Sequence, residues 1–392
     1  MSAISTFKGI NNASDPLRLG LGWLAKADNV DVTDTGALER RPGYVQVASG
    51  SFSGVYATRQ QDFERLYVVN AGALKQVHPD LTMTTLREGL SNAPMHWTEI
   101  NSDTYFSNGI DKGIIRPDGS IIAWDWPLPD APTVRQAGGT LAQGEYGVCC
   151  TFSLPDGRET GASDAVYLEA SGGLLVDDLP QAPGCLTNLY IAPAGSTVFQ
   201  LALTTGQRAV TWNAGPDALG MDLVTQGFEP PPASASLPVL WAGRAWLAEH
   251  FPAQDISVLW PSEPLGFHLF ARQTGFVPVP GRIVMVLAHD AGLIVGTRTA
   301  LYAWNGEALT QLAGYGAVEG WPGTRDEETG ACYFWTERGL CQGLPFKNLT
   351  AAKLRMDPGT QACAAIVHQD GGKKIIVATV PGGRIFNPRS TS

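Results

Sequence analysis

Residues 293–302 read LIVGTRTALY, and this stretch decides the fold. Two apolar runs on either side of a short turn predict a β-hairpin. Residues 67–74, YVVNAGAL, repeat the same shape. Short alternating runs of this kind recur in small meanders at intervals of roughly 40–50 residues, the spacing of propeller blades. The sequence therefore predicts an all-β fold, a β-propeller of roughly five to seven blades.

Helical periodicity is weak throughout the sequence. No stretch keeps a helical period over three turns, and residues 349–356 are the best candidate for a short helix. Forty-five glycines and 27 prolines in 392 residues also favour a loop-rich β architecture. At 44% hydrophobic and 16% charged residues, the chain can bury one large core or two moderate ones.

The segment 129–227 interrupts the meanders. Prolines at 127, 129 and 132 mark its beginning, and it contains a long hairpin that turns at 155–157. We expect a β-sandwich-like insert that resembles a fibronectin type III module in outline. The domain prediction is an N-terminal arm with the first blades at 1–128, the insert at 129–227, a Pro-rich linker at 228–238, and the remaining blades with a C-terminal closure at 239–392.

Charge and cysteine content restrict the classes of function. A net charge of −10 with scattered basic residues argues against a protein that grips nucleic acid. An acidic surface would repel DNA, as a conduit requires, although acidity also simply keeps a protein soluble. The six cysteines form no Cys-x-x-Cys pair, so we expect buried reduced thiols and no zinc site.

Catalytic motifs are absent from the sequence. It contains no phosphate-binding Gly-x-x-x-x-Gly-Lys loop, no Gly-x-Ser-x-Gly elbow and no His-Glu-x-x-His pair, so we expect no enzyme, no catalytic residue, no bound metal and no cofactor. Acidic residues cluster near the N-terminus without the ligand spacing of a calcium loop, and we expect them to be solvent-exposed charges of a hairpin: Asp28, Asp31, Asp34 and Glu39.

A second acidic residue stands between two tryptophans, as Trp124-Asp125-Trp126. A carboxylate beside an aromatic platform is the arrangement of a sugar cleft. Propellers also pack tryptophan between their blades, and this interpretation is the one we favour here. Eleven tryptophans in all, without a catalytic constellation, favour a protein of permanent assemblies.

Several short segments carry a resemblance to a known family. Their order along the chain resembles that in the tail nozzle (tail hub) proteins of short-tailed bacteriophages. The segments are FKGINN at 7–12, ADNVDV at 27–32, TGALERRPGY at 35–44, WTEINSDTYFSN at 97–108, LAQGEY at 141–146, DGRETG at 156–161, and the blade-like stretches 241–246, 258–264 and 292–304.

The resemblance implies a structural virion protein. Such a protein is assembled in the host cytoplasm, becomes part of the virion tail, and forms a ring of six copies below a head–tail adaptor ring. A tail needle or plug and tail fibres are further implied partners. DNA would pass through the lumen without specific binding during ejection, and acidic side chains should line that lumen.

Ring contacts are predicted at Arg40, Arg41 and Tyr44, at the end of the N-terminal hairpin. The alternative is that this hairpin folds onto its own propeller. No span of about 18 apolar residues, which crossing a bilayer would need, is present, and no signal-peptide pattern is apparent.

Two other functions remain open from the sequence. One is a tail-tip or baseplate propeller that binds a host-surface glycan, which would require exposed, clustered tryptophans. The other is a propeller-fold carbohydrate-active enzyme, which would require two carboxylates roughly 5–9 Å apart at the central axis.

Overall fold

The computed structural model describes residues 6–33, 35–41, 43, 45–58, 65–369 and 372–383. Within these ranges the helical elements are two short 3₁₀ turns, Pro16–Arg18 and Pro216–Ala218. All other regular structure is strand, so the predicted all-β class is confirmed. The described ranges contain no helix long and apolar enough to cross a membrane.

The chain begins with an extended arm and a hairpin. In the arm, β1 (Gly9–Ile10) pairs in parallel with β2 (Trp23–Leu24). The hairpin consists of β3 (Val30–Val32) and β4 (Leu38–Arg40), which pair antiparallel. Gly36 lies in its turn at φ 82°, where a side chain would be strained, and this explains the Thr-Gly sequence.

Two four-stranded antiparallel meanders follow. The first contains β5 (Phe52–Ala57), β6 (Leu66–Asn70), β7 (Ala73–Val77) and β8 (Met83–Arg87). The second contains β9 (His96–Ile100), β10 (Asp103–Ser107), β11 (Lys112–Ile115) and β12 (Ile121–Ile122). We call them blade 1 and blade 2. Apolar side chains of both, among them Tyr67, Val69 and Phe106, share one buried cluster.

The insert forms one five-stranded antiparallel sheet. Its strands are β13 (Thr133–Ser153), β14 (Val166–Asp177), β15 (Leu186–Ala192), β16 (Gln200–Thr205) and β17 (Val210–Trp212), in the order β16-β15-β13-β14-β17. A fibronectin-like sandwich of two facing sheets is not confirmed, because the long β13 pairs with both β14 and β15. Separate apolar clusters, around Leu174 and around Phe199, stabilise this sheet.

The chain then returns to the meander pattern. Blade 3 contains β18 (Ser236–Trp241), β19 (Arg244–Phe251), β20 (Ile256–Glu263), β21 (Gly266–Phe270) and β22 (Val277–Pro280), of which the last two both pair with β20. Blade 4 contains β23 (Ile283–His289), β24 (Gly292–Thr297), β25 (Leu301–Trp304) and β26 (Leu309–Ala313). The stretch 293–302 thus forms the predicted hairpin, β24 with β25.

The last part of the chain forms blade 5 and a smaller sheet. The strands are β27 (Glu319–Trp321), β28 (Gly323–Arg325), β29 (Cys332–Thr336), β30 (Gly339–Gln342), β31 (Lys347–Asn348), β32 (Gln361–Gln369) and β33 (Gly372–Val380). Blade 5 is β28 to β31, and β27, β32 and β33 form what we call the closing sheet, in which β27 and β32 are parallel. Val318, Trp335 and Ala362 pack between the two sheets.

The sheets follow one another around a circuit. The first strand of blade 3 packs on the first strands of blades 2 and 4, and the first strand of blade 4 packs on blade 5. Blade 5 in turn contacts β32 of the closing sheet. The indole N–H of Trp321 donates to the carbonyl oxygen of Met95 at 3.0 Å, which ties the last part of the circuit to the beginning of blade 2. The fold is the predicted β-propeller, with five blades and a three-stranded closing sheet.

The predicted helix at 349–356 is wrong. The N–H groups of Lys353 and Leu354 both donate to the carbonyl oxygen of Thr350, which makes one turn. The carbonyl oxygen of Lys353 instead accepts the backbone N–H groups of Asn12 and Ala13. This acceptor is therefore used by the N-terminal arm rather than by a following helical turn.

Candidate functional site

The N-terminal arm is anchored to residues 353–355, which follow blade 5. The side chain of Asn12 donates to the carbonyl oxygen of Arg355 at 2.8 Å and accepts the backbone N–H of the same residue at 2.6 Å. Ala13 beside it is buried, and the ammonium of Lys353 lies 4.6 Å from the centroid of the Trp23 ring. A two-way amide contact of this kind fixes the position of the arm.

Between these anchor points, the arm presents leucines to solvent. Leu17 is 94% exposed and Leu21 is 81% exposed. The segment has a defined conformation, since a carboxylate oxygen of Asp15 accepts the N–H of Leu17 and caps the Pro16–Arg18 turn. Burying one leucine contributes about 1.5–3 kcal/mol, a gain that Leu17 and Leu21 do not make within this chain.

The exposed character of this arm was not predicted from the sequence. In PLRLGLG at 16–22, leucines alternate with basic or small residues, which is the period of a half-buried strand. The pattern alone therefore favours burial of the leucines, whereas the structure leaves Leu17 and Leu21 exposed. Val45 and Val47, which follow the hairpin, are also largely exposed.

The three predicted ring-contact residues have different surroundings. Arg40 lies exposed at the end of β4. Arg41 forms an ion pair with Asp31 at 2.9 Å, and Asp31 also lies 3.1 Å from the ammonium of Lys374 in β33. Hydrogen bonds from Arg41 and Lys374 hold the pKa of Asp31 below its usual range. Arg41 thus contacts the hairpin and, through Asp31, the closing sheet, while Tyr44 lies outside the described residues.

Two of the acidic residues near the N-terminus have cationic partners, and Glu39 lies exposed in β4. Asp28 pairs with Lys26 at 2.7 Å and Asp31 with Arg41 and Lys374, whereas Asp34 lies outside the described residues. In the described part of the chain, no group of three or more His, Cys, Asp or Glu side chains is arranged to hold a metal ion.

Within the Trp124-Asp125-Trp126 motif, Trp124 belongs to the propeller interior, whereas Asp125 and Trp126 are half-buried. Trp124 is only 1% exposed, lies edge-on to Tyr105 with ring centroids 4.9 Å apart, and donates its indole N–H to the carbonyl oxygen of Phe267. Asp125 lies 3.5 Å from the ammonium of Lys112. A buried ring cannot present its face to a sugar, so Trp124 packs the blade core, as the favoured interpretation expected.

The Pro-rich linker is fixed to blades 2 and 3 by buried polar side chains. From blade 2, Lys112 donates to the carbonyl oxygen of Ala233 at 2.6 Å and Ser107 to that of Ala235 at 2.7 Å. From blade 3, Glu249 accepts the hydroxyl of Ser234 at 2.5 Å and the indole N–H of Trp260 at 3.0 Å. Glu249 is 7% exposed, so its carboxylate depends on these donors.

Polar groups also hold the insert against blades 2 and 3. The guanidinium of Arg158, at the turn of the insert hairpin, pairs with Asp156 and donates to the carbonyl oxygen of Ala123 at 2.7 Å. The imidazole of His268 lies 2.9 Å from the carbonyl oxygen of Glu159. Burial lowers the pKa of His268, which keeps the ring neutral in this contact.

The carboxylate of Glu159 organises the sheet of the insert. One of its oxygens accepts hydrogen bonds from Thr151 at 2.5 Å, Asn188 at 3.2 Å and Tyr190 at 2.7 Å. These donors come from β13 and β15, so the carboxylate links two strands and the hairpin turn. Sequence reasoning missed this cluster because its members lie up to 31 positions from Glu159.

A cavity between blades 1 and 2 has a volume of about 20 Å³. Its lining includes Tyr67, Thr104 and Arg116. This is room for a single water molecule and far below the several hundred Å³ of a small-molecule site.

No family model and no curated protein matches the sequence. Several solved structures are similar at low identity. Virginiamycin B lyase from Staphylococcus aureus is 10% identical over 84% of both chains, with a TM-score of 0.32. A protein from Lactobacillus plantarum is 14% identical over 84% of this chain and 91% of that chain, with a TM-score of 0.34. An oligogalacturonate lyase in complex with manganese is 9% identical over 82% of this chain and 86% of that chain, with a TM-score of 0.18. Likenesses of this degree carry no argument about function.

Proposed function

We propose that this protein is a structural subunit of a bacteriophage tail, a nozzle or hub that assembles as a ring and extends the channel for DNA. The observation that carries the proposal is the N-terminal arm, which holds Leu17 and Leu21 exposed in a fixed conformation. An ordered apolar arm is suited to association with another protein surface. The kind of assembly, a ring in a phage tail, is taken from the resemblance of several sequence segments, and of their order along the chain, to tail nozzle proteins.

The polar clusters of the described residues support a scaffold role. Glu249, Glu159 and Arg158 each bond to groups of their own chain and join separate elements of the fold. Trp124 is used for packing. Because these side chains serve the fold itself, the exposed arm is the feature that we assign to binding of a partner.

The charge distribution is consistent with a channel for DNA. The chain has a net charge of −10, and the insert at 129–227 alone has ten acidic and three basic residues. Phosphates are repelled by such a surface, so DNA would pass without adhering. A head–tail adaptor ring above and a needle, plug or fibres below are the partners that this role would require.

The test is a mass measurement on the purified protein, alone and mixed with a head–tail adaptor ring, by light scattering and electron microscopy. We expect a closed ring, either alone or on the adaptor. A stable monomer that does not bind the adaptor ring would contradict the proposal. Glycan arrays would then test the alternative of a tail-tip protein that binds glycans. Assays of polysaccharide turnover would test the alternative of a carbohydrate-active enzyme.

A further inference from the structure

A second exposed apolar surface lies on the insert, at its outer strand β16. Met221 is 79% exposed, Val224 is 77% exposed and Val198 is 47% exposed. The N–H of Leu201 donates to the carbonyl oxygen of Met221 at 2.9 Å and that of Leu223 to the carbonyl oxygen of Phe199 at 2.8 Å, around an antiparallel bridge between Gln200 and Asp222. Because neighbouring residues of paired segments alternate between the two faces, Val198 and Val224 share the face of Asp222, and Met221 lies on the other. We call Val198 and Val224 the insert patch.

The arm and the insert patch are complementary in charge. Residues 6–26 contain three basic residues and one acidic residue, and the basic ones are all exposed: Lys8, Arg18 and Lys26. The insert has ten acidic and three basic residues. Two of the acidic residues, Asp217 and Asp222, are exposed close to the patch in sequence, and Gln200 of β16 bonds to Asp222 at 2.9 Å. An apolar, basic segment thus has an apolar, acidic counterpart.

The two surfaces do not cover each other within one chain. The arm is bound at residues 353–355, which follow blade 5. Leu17 and Leu21 stay exposed in that position, and Val198 and Val224 of the insert are exposed as well. One chain therefore leaves two different and complementary surfaces uncovered, which is the requirement for a head-to-tail contact between identical subunits.

We infer that the N-terminal arm of one copy binds the insert patch of a second copy of this chain. The inference rests on the proposed function, because it names the contact by which the ring would form. Leu17 and Leu21 of one copy cover Val198 and Val224 of the next, and Arg18 lies toward Asp217 and Asp222. Repetition of this contact closes a ring when the rotation between copies divides a full turn.

Photo-crosslinking tests the contact directly. Leu21 is replaced in an unlabelled chain (Leu21→p-benzoylphenylalanine), which is mixed at the highest soluble concentration with ¹⁵N-labelled wild-type chain and irradiated. Mass spectrometry then locates the linked peptides. We expect unlabelled residue 21 to be joined to labelled peptides from 196–226. The same replacement at Leu265, which is also 81% exposed but lies between β20 and β21, is the matched control and should give no such link.

Charge reversal gives an independent readout. Arg18→Glu and Asp222→Lys should each reduce the yield of this crosslink at least several-fold, and the double variant should restore much of it. Both residues are exposed, so each variant should keep the wild-type circular dichroism and melting temperature.

The outcomes separate this inference from the proposed function. A link between copies at 196–226, weakened and rescued by the charge variants, supports it. A ring whose crosslinks map elsewhere overturns the inference and leaves the proposed function standing. Links only within one chain, or none at all, also overturn it, and the separate mass measurement with the adaptor ring then decides the proposed function.

Discussion

Glu249→Leu should loosen the junction between the Pro-rich linker and blade 3. The carboxylate is 7% exposed and accepts one hydrogen bond from Ser234 and one from Trp260. Leucine accepts neither, so the buried indole N–H of Trp260 loses its partner, whereas the hydroxyl of the exposed Ser234 can bond to water. An unsatisfied buried donor costs about 1–3 kcal/mol, partly offset because a buried charge is also removed. We expect the free energy of unfolding to fall by about 1–3 kcal/mol.

Urea denaturation followed by circular dichroism and by tryptophan fluorescence measures this change. Ser234→Ala alone should cost about 1 kcal/mol, and it should cost close to nothing in the Glu249→Leu background, since its acceptor is already gone. Glu307→Leu, at an exposed turn position, is the matched control and should stay within about 0.5 kcal/mol of the wild type. If Glu249→Leu unfolds at the wild-type urea concentration, the linker is not held by this carboxylate and the reasoning is refuted.

Three further predictions follow from protonation and exposure. Hydrogen bonds, chiefly from Lys373, lower the pKa of Asp326 from 3.8 to about 2. The ionised carboxylate therefore stabilises the folded protein fully above pH 3.8, and this contribution is lost as the pH falls toward 2. The melting temperature of Asp326→Asn should be lower than that of the wild type at pH 7 and equal to it below about pH 2. Equal melting temperatures at pH 7 would contradict this. Burial lowers the pKa of His96 from 6.5 to about 4, so the unfolded chain binds a proton that the folded one excludes and stability falls from pH 6.5 to about 4. In a series of thermal melts between pH 7 and pH 4, His96→Phe should lose less stability than the wild type. An equal loss of stability in both proteins would count against this prediction. Iodoacetamide should label the exposed Cys363 of the native protein before the buried Cys149, because burial raises the pKa of the Cys149 thiol to about 12. Mass spectrometry measures the order of labelling, and labelling of Cys149 first would contradict the prediction.

The blade hairpins could be predicted because their information is local. In blade 1, Ala71 and Gly72 both have positive φ between two apolar runs, so the turn is specified by adjacent residues. In blade 4, residues 293–302 form the expected pair of strands for the same reason. The propeller class follows from the repetition of such units.

Contacts between distant segments could not be predicted in this way. The parallel pairing of Glu319–Trp321 with β32 has no turn to specify it, because 39 residues separate positions 321 and 361. The helix predicted at 349–356 failed since Asn12, 343 positions from Arg355, occupies this region. The buried roles of Glu249 and Lys112 also depend on the linker, whose path is set by the tertiary structure.

The anchoring of the arm at residues 353–355 has a consequence for synthesis on the ribosome. Asn12 and its partner Arg355 are 343 positions apart, so the arm emerges long before the segment that binds it. At translation rates of about 5–20 residues per second, that delay is roughly 17–70 s. Throughout this interval the nascent chain carries its leucine-rich arm without its anchor. On the proposed contact between copies, polysomes that bring several such chains close together would favour docking to a neighbouring insert before each chain is finished.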